Sequence, residues 1–213
     1  MSGDTRLIKE KVFDSIFEDI IRGEYPVNTI INERMLIEKY KVSKSPVREA
    51  LIELCKENIL KSIPRMGYQV VQISPKEIYD ILELRLIIEV AALKKTFALL
   101  DDNIIEKLEK NIQRTLEFIG EKDIVNCWNR NIGFHLLLCS FCNNNSIYNT
   151  LNDILKFCSR GAIQYYQKTW DSSQSVDRNN HISLIDALRK RDFKLAEQIL
   201  GKDVSSMKDV FFN

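Results

Sequence analysis

The chain has 213 residues, 45% hydrophobic and 29% charged, with 31 Lys and Arg against 30 Asp and Glu for a formal net charge of +1. These figures describe one sizeable globular domain or a small one plus a medium one, and they exclude an extended disordered or low-complexity chain. With so little net charge, contact with a polyanion has to come from a local basic face. Five cysteines, Cys55, Cys127, Cys139, Cys142 and Cys158, form an odd set without a disulfide framework, which fits a reducing compartment. Cys139-x-x-Cys142 has no second CxxC and reads as buried thiols ahead of a metal or redox site. No apolar run of signal-peptide type follows Met1, and none approaches the roughly 20 residues of a membrane span, so the expected location is cytoplasmic with no membrane partner.

In chain order, Leu7, Val12, Phe13, Ile16, Phe17, Ile20 and Ile21 fall at helical spacing before Gly23 and predict a first amphipathic helix. Asn32 is a credible N-cap for a short second helix carrying Met35, Leu36 and Ile37. A turn around Lys41-Val42 follows. Ser45 then stands before Pro46 as an N-cap before a proline at the first helical position, and Val47, Ala50, Leu51, Leu54 and Cys55 trace the buried face of a third helix. Two short β-branched runs flank Pro64-Arg65-Met66-Gly67, a hairpin in which glycine supplies the turn. From Ser74-Pro75 onward the pattern is helical: a long helix from Pro75, one ending near Gly120, and others over about 121–142, 146–170, 177–190 and 192–210. The predicted fold is mainly α, with three helices and a small β-hairpin over 1–73 and an all-α bundle of about six helices over 74–213.

Three helices followed by a wing, with a short turn between the second and third, make a winged helix-turn-helix. Its recognition helix would present Ser43, Lys44, Ser45 and Arg48 at its N-terminal end, where free N–H groups meet phosphate and a guanidinium pairs with a guanine edge. Residues 6–73 closely resemble the winged helix-turn-helix of the GntR family of bacterial transcription regulators: Gly23, Tyr25, Pro26, Ile30 and Glu33 follow the family pattern. Val42 through Leu51 match its Val-Ser-Arg-(Thr/Ser)-Pro-Val-Arg-Glu-Ala-Leu with Lys44 in place of arginine, and Arg65 and Gly67 its Arg-x-Gly wing. The chain departs at Val27-Asn28, where proline-glycine is usual. The resemblance implies DNA contacts by Arg34, Ser43, Lys44, Ser45, Arg48, Arg65 and Gly67. Lys44, a point charge, would hold phosphate rather than read a base.

Most of 75–205 resembles the effector domain of the FadR subfamily, the FCD domain, through "YDILELRLIIEV" with Arg85 and Glu89 four apart, "NRNIGFHLLLCSFCNNNSIYNTL" and "DRNNHISLIDALRKRDFKLAEQILGKD". His135 and His181, the two histidines of the chain, fall where metal-binding members place theirs, with Asn131 at the usual aspartate and Asp203 at the last histidine. The set Asn131, His135, His181 and Asp203 would hold Zn, Ni or Mn and leave positions open for a carboxylate effector. Cys139, one turn beyond His135, competes as a ligand. Arg85 and Arg160 are expected to face an effector cavity. The run Arg189-Lys190-Arg191 lies at a helix end and carries no DNA role. The resulting expectation is a ligand-responsive regulator binding a pseudo-palindromic double-stranded operator as a homodimer, controlled by a small organic acid. Two alternatives stand beside it: a DNA-binding protein whose helical domain only dimerises, and a metal-dependent hydrolase using His135, His181 and Asp203. The second lacks a His-Glu-x-x-His motif and leaves the winged segment unexplained.

Overall fold

A computed structural model describes residues 2–116, 123–166 and 178–212, which divide into two compact units, Met1–Ile73 and Ser74–Asn213. The helix end expected at Gly120, and the end and start expected at 170 and 177, lie outside the described residues. Nine helices and three strands occur among those described.

The first unit runs α1 (Ser2–Ile21), β1 (Ile30–Ile31), α2 (Glu33–Tyr40), α3 (Lys44–Lys56), β2 (Leu60–Ile63) and β3 (Gly67–Val70). Its core is where the apolar periodicities meet: Val12, Ile16 and Ile20 of α1 pack with Leu36 of α2, with Val47, Ala50, Leu51 and Leu54 of α3, and with Leu60 and Val70 of the sheet. Asn32 caps α2 by accepting from Met35 N–H at 2.9 Å, and Lys41 ends it at φ 54, so the chain reverses into α3 within three residues. Outside the core, Asp19 accepts from Lys39 at 2.6 Å and from the Tyr40 hydroxyl, fastening α2 to α1.

Three details differ from the sequence reading. The cap of α3 is Ser43, not Ser45: the helix starts at Lys44, and Pro46 sits third, still within the first turn where no intrahelical N–H bond is lost. The wing is also not a lone hairpin, because β1 pairs antiparallel with β3, Ile31 opposite Tyr68, giving the sheet order β1-β3-β2. Finally, Arg65 at φ 67 makes the hairpin turn. Gly67, at φ 132, is needed because a Cβ there would lie 2.4 Å from the Ile31 carbonyl oxygen.

The second unit comprises α4 (Pro75–Ala98), α5 (Asp102–Leu116), α6 (Ile124–Ser140), α7 (Asn145–Tyr166), α8 (Arg178–Arg189) and α9 (Phe193–Phe212). A capping box starts α4: Ser74 Oγ accepts from Glu77 N–H while the Glu77 carboxylate accepts from Ser74 N–H at 2.8 Å, with Pro75 at the first helical position. The bundle is organised around α4, which packs against α6, α7 and α9, while α8 packs against α5 and α9. Thr96 Oγ1 donates to the Leu138 carbonyl at 3.1 Å, a polar latch between α4 and α6 in an apolar surround.

Two glycine substitutions should move stability in opposite directions. Gly67→Ala forces a Cβ against the Ile31 backbone at positive φ and should destabilise the first unit by about 1–3 kcal/mol, seen as a lower thermal midpoint by circular dichroism. Gly133→Ala, within α6 with nothing within 4 Å of the added Cβ, should stabilise the second unit by about 0.5–1 kcal/mol, read from tryptophan fluorescence during denaturant unfolding.

Candidate functional site

On the first unit, Ser43, Lys44, Ser45 and Arg48 are all exposed at the start of α3, on the side away from Pro46, Val47 and Ala50. The Ser43 side chain makes no capping bond, so the first-turn N–H groups stay open to an anion. Ser45 Oγ donates to Glu49 at 2.9 Å. Arg48 is held by a carboxylate from α2: its Nε donates to Glu33 Oε1 at 2.9 Å and its Nη2 to Oε2 at 3.3 Å, while Lys44 Nζ stands 3.9 Å from the same group. Arg34, exposed, donates to Glu38 at 2.9 Å. Arg65 is exposed at the tip of the wing, and Gly67 lies at the root of β3. Ile52, 47% exposed, stands one turn beyond Arg48 on the same face of α3.

On the second unit, histidines from α6 and α8 converge with a carboxylate from α9. His135 Nε2 lies 3.1 Å from Asp203 Oδ2 and 3.3 Å from His181 Nε2, and His181 Nε2 lies 3.6 Å from Asp203 Oδ2. Donors about 2.0–2.2 Å from one ion stand about 2.8–3.6 Å from each other, so the three fit a shared metal. Among the described residues these three are the metal-capable group found together. Asn131 reaches the same point, with Nδ2 3.4 Å from His181 Nε2. The four are buried, and Phe134 stacks on the His181 ring with centroids 4.0 Å apart.

Behind the donors stands an ordered polar layer. His135 Nδ1 bonds Glu89 Oε2 at 2.7 Å, which turns Nε2 toward Asp203, and Glu89 Oε1 accepts from Arg85 Nε at 2.6 Å. Arg85 Nη1 lies 2.9 Å from Met207 Sδ. Asn180 Nδ2 donates to Asp203 Oδ1 at 3.3 Å and leaves Oδ2 to the cluster. Burial opposes ionisation of Glu89, but His135 and Arg85 outweigh it and hold the carboxyl at about 2. For Asp203 too, burial is outweighed, here by the two histidines, and the carboxyl lies well below the ordinary range. Burial likewise disfavours the His135 cation, yet Glu89 and Asp203 together raise it. Burial lowers His181, and neighbouring His135 adds to that.

Sequence position thus singled out Asn131, His135, His181 and Asp203, and the folded chain brings them together. Glu89 and Asn180 went unassigned. The four-residue spacing of Arg85 and Glu89 was the available signal for the first; nothing local marked the second. Arg85 is turned into the helical interior, 1% exposed and occupied by Glu89. Arg160 is buried on α7, its guanidinium 5.4 Å from the Phe157 ring centroid. Cys139 does not join the donors: it packs with Ala92, Cys142, Leu151 and Leu155, and burial, reinforced by Cys142, pushes its thiol up to about 12.

Residues 8–70 match the model of the gntR family of bacterial regulatory proteins and residues 80–205 that of the FCD domain. The chain belongs to the GntR family of transcription regulators, with an FCD domain as its second unit, and is not an enzyme; the hydrolase alternative is thereby set aside. It is 28% identical over 196 residues to the gluconate operon transcriptional repressor of Bacillus licheniformis, covering 89% of this chain and 79% of that protein. To the HTH-type transcriptional repressor RspR of Escherichia coli K12 it is 21% identical over 205 residues, 96% and 89% of the two chains. The fold matches E. coli McbR/YncC with a TM-score of 0.83 at 17% identity, over 96% of this chain and 97% of that one. No helix among the described residues is long and apolar enough to cross a membrane.

Removing Glu89 would leave Arg85 as an uncompensated buried charge. Glu89→Ala should therefore destabilise the second unit by about 3–5 kcal/mol, measured by denaturant unfolding followed by tryptophan fluorescence.

Proposed function

We propose that this regulator acts in the cytoplasm as a homodimer on a pseudo-palindromic double-stranded DNA operator, and that a small carboxylate bound at the helical cluster controls its affinity for DNA. The observation that carries this reading is the meeting of His135, His181 and Asp203, from three helices, inside a chain whose other unit is a winged helix-turn-helix. Arg48 would read a base edge. Arg34, Ser43, Lys44, Ser45 and Arg65 would hold phosphates, and Gly67 would bring the wing backbone close to the duplex. A dimer reading two half-sites gains affinity through effective concentration. Leu84 and Ile87, three residues apart on α4 and 42% and 65% exposed, offer an apolar face for the second copy.

His135, His181 and Asp203 would hold a Zn, Ni or Mn ion, with Asn131 close enough to contribute its amide oxygen after a flip of the side chain. When bound, the ion supplies a Lewis-acidic anchor for the effector carboxylate. Glu89 orients His135, and Arg85 orients Glu89, so Arg85 serves the effector from behind the site, while Arg160 remains a candidate for direct contact. Regulation then needs only that the effector prefer one arrangement of the DNA-binding units. Both Arg85 and Glu89 lie on α4, which is separated from the wing strand by four residues.

Two measurements test the reading. Elemental mass spectrometry of untagged protein should find near-stoichiometric Zn, Ni or Mn that disappears in His135→Ala. No metal, even after all three are added, would make both histidines structural and shift the search to a metal-free effector pocket; no small-molecule stabilisation in any screen would leave a helical unit that only dimerises. Arg48→Ala should lose sequence-specific DNA binding while keeping salt-dependent non-specific binding; intact specificity would remove Arg48 from the reading face.

A further inference from the structure

Arg48 sits in the first turn and a half of α3 with its side chain 54% exposed, and a long side chain in that position samples many rotamers in solution. Here it does not swing freely, because Glu33 grips one edge of the guanidinium with both carboxylate oxygens. The grip is itself well founded. Glu33 is the first residue of α2, held in place by the Asn32 cap, and its side chain is only 22% exposed. Close to it, Tyr68 of β3 pairs with Ile31 of β1, two residues before Glu33, and its phenol is raised by burial and then by the Glu33 charge, with Arg48 opposing. Glu33 therefore stands where α2, α3 and the wing come together.

A guanidinium has two bidentate faces that Glu33 cannot use at once. The Nε and Nη2 edge is taken by the carboxylate, and the end formed by Nη1 and the remaining Nη2 hydrogen stays open. That open end carries the two donors that match the N7 and O6 acceptors of guanine, so base reading does not require the ion pair to break. We propose that Glu33 is a specificity-determining positioning residue, which aims the free end of Arg48 at a guanine and at the same time cancels the charge with which Arg48 would otherwise bind any phosphate. This rests on the reading of Arg48 as the base-contacting residue.

Non-specific affinity for DNA comes from cations that release counterions, and a cation already paired with a carboxylate contributes little to it. The carboxylate also repels the phosphate backbone. Both effects weaken binding to every sequence and are offset only where a guanine presents two acceptors to the open end, so Glu33 raises discrimination at the expense of raw affinity. Lys44, 3.9 Å from the same carboxylate, feels the same restraint more weakly.

The test uses the full-length chain, a duplex recovered from a random pool by binding to the wild-type protein, a scrambled duplex of equal composition, and the selected duplex carrying 7-deazaguanine in place of each guanine in turn. Glu33→Asp keeps the charge but withdraws the carboxylate by one methylene; it should lower the ratio of selected to scrambled affinity by about tenfold with little change in scrambled binding. Glu33→Gln should lose the ratio similarly, bind the scrambled duplex more tightly, and steepen the dependence of log affinity on log salt by about one. In both variants the penalty for 7-deazaguanine at the position read by Arg48 should shrink. Thermal melting confirms that each variant is folded, and Glu33→Asp carries the test if Glu33→Gln is not. A ratio and a 7-deazaguanine penalty unchanged in the folded variants would overturn the proposal. So would Glu33→Gln tightening both duplexes equally, which would make Glu33 a repulsive bystander. Arg48→Ala separates the two levels: if it keeps the ratio, the assignment of Arg48 fails first; if it loses the ratio while the Glu33 variants keep it, only the role of Glu33 fails.

Discussion

A carboxylate that is 3% exposed stays ionised only where cations surround it, and Glu89 is surrounded on both sides: Arg85 grips one oxygen and His135 the other. The consequences spread outward through the helical unit. Arg85, one of its largest fully buried side chains, can enter the interior because Glu89 meets it there. His135 has one nitrogen committed to Glu89, so the other faces Asp203 and His181. Asp203 in turn is steadied by Asn180, which ties α8 to α9. Burying such a set gives little stability over plain apolar packing of the same volume. What it secures is direction, with each member leaving the next a single orientation.

The first unit uses the same pair of groups in the opposite environment. Arg48 and Glu33 meet at a solvated surface, where an ion pair adds little to stability and is weakened by salt. Its value is geometric again, since a carboxylate braced by α2 restricts where a long side chain can point. In the helical unit the arginine supports the acid; at the solvated start of α3 the acid supports the arginine.

Much of the architecture was readable from residue periodicity, because each apolar stripe survives as a buried face. The α1 and α3 stripes meet in one core, and α4 starts at Pro75, where the sequence placed the long helix. The strand β1 was not readable, since two residues carry no alternation and Ile30–Ile31 becomes a strand only when β3 arrives beside it. Ser45 looked the better cap because proline follows it, yet backbone geometry made Ser43 the cap without any side-chain bond to advertise it. Gly67 was recognised as necessary for the wrong local reason: the turn belongs to Arg65, and the glycine yields to a carbonyl on a strand far away in sequence. Among site residues, histidines are rare enough for their positions to be informative. Asn180 and Glu33 are ordinary polar residues whose partners lie on other helices, and no spacing within one segment announces such a contact; for Glu89, the spacing announced Arg85 but not His135 on α6.

The wing is stitched along both sides. Besides the ladder between β2 and β3, Asn28 donates to the Val70 carbonyl at 3.0 Å and Val70 N–H returns a bond to Thr29 at 2.9 Å, so the loop before α2 and the last wing strand are one fabric. A wing joined in this way cannot flap independently of the helices that flank it. Any signal reaching the first unit must then move it as a rigid piece, leaving the order of groups presented to DNA unchanged. In the proposed dimer, control of such a reader is control of where it is held: the tolerated distance between half-sites becomes the adjustable quantity, and the letters recognised within each half-site remain constant.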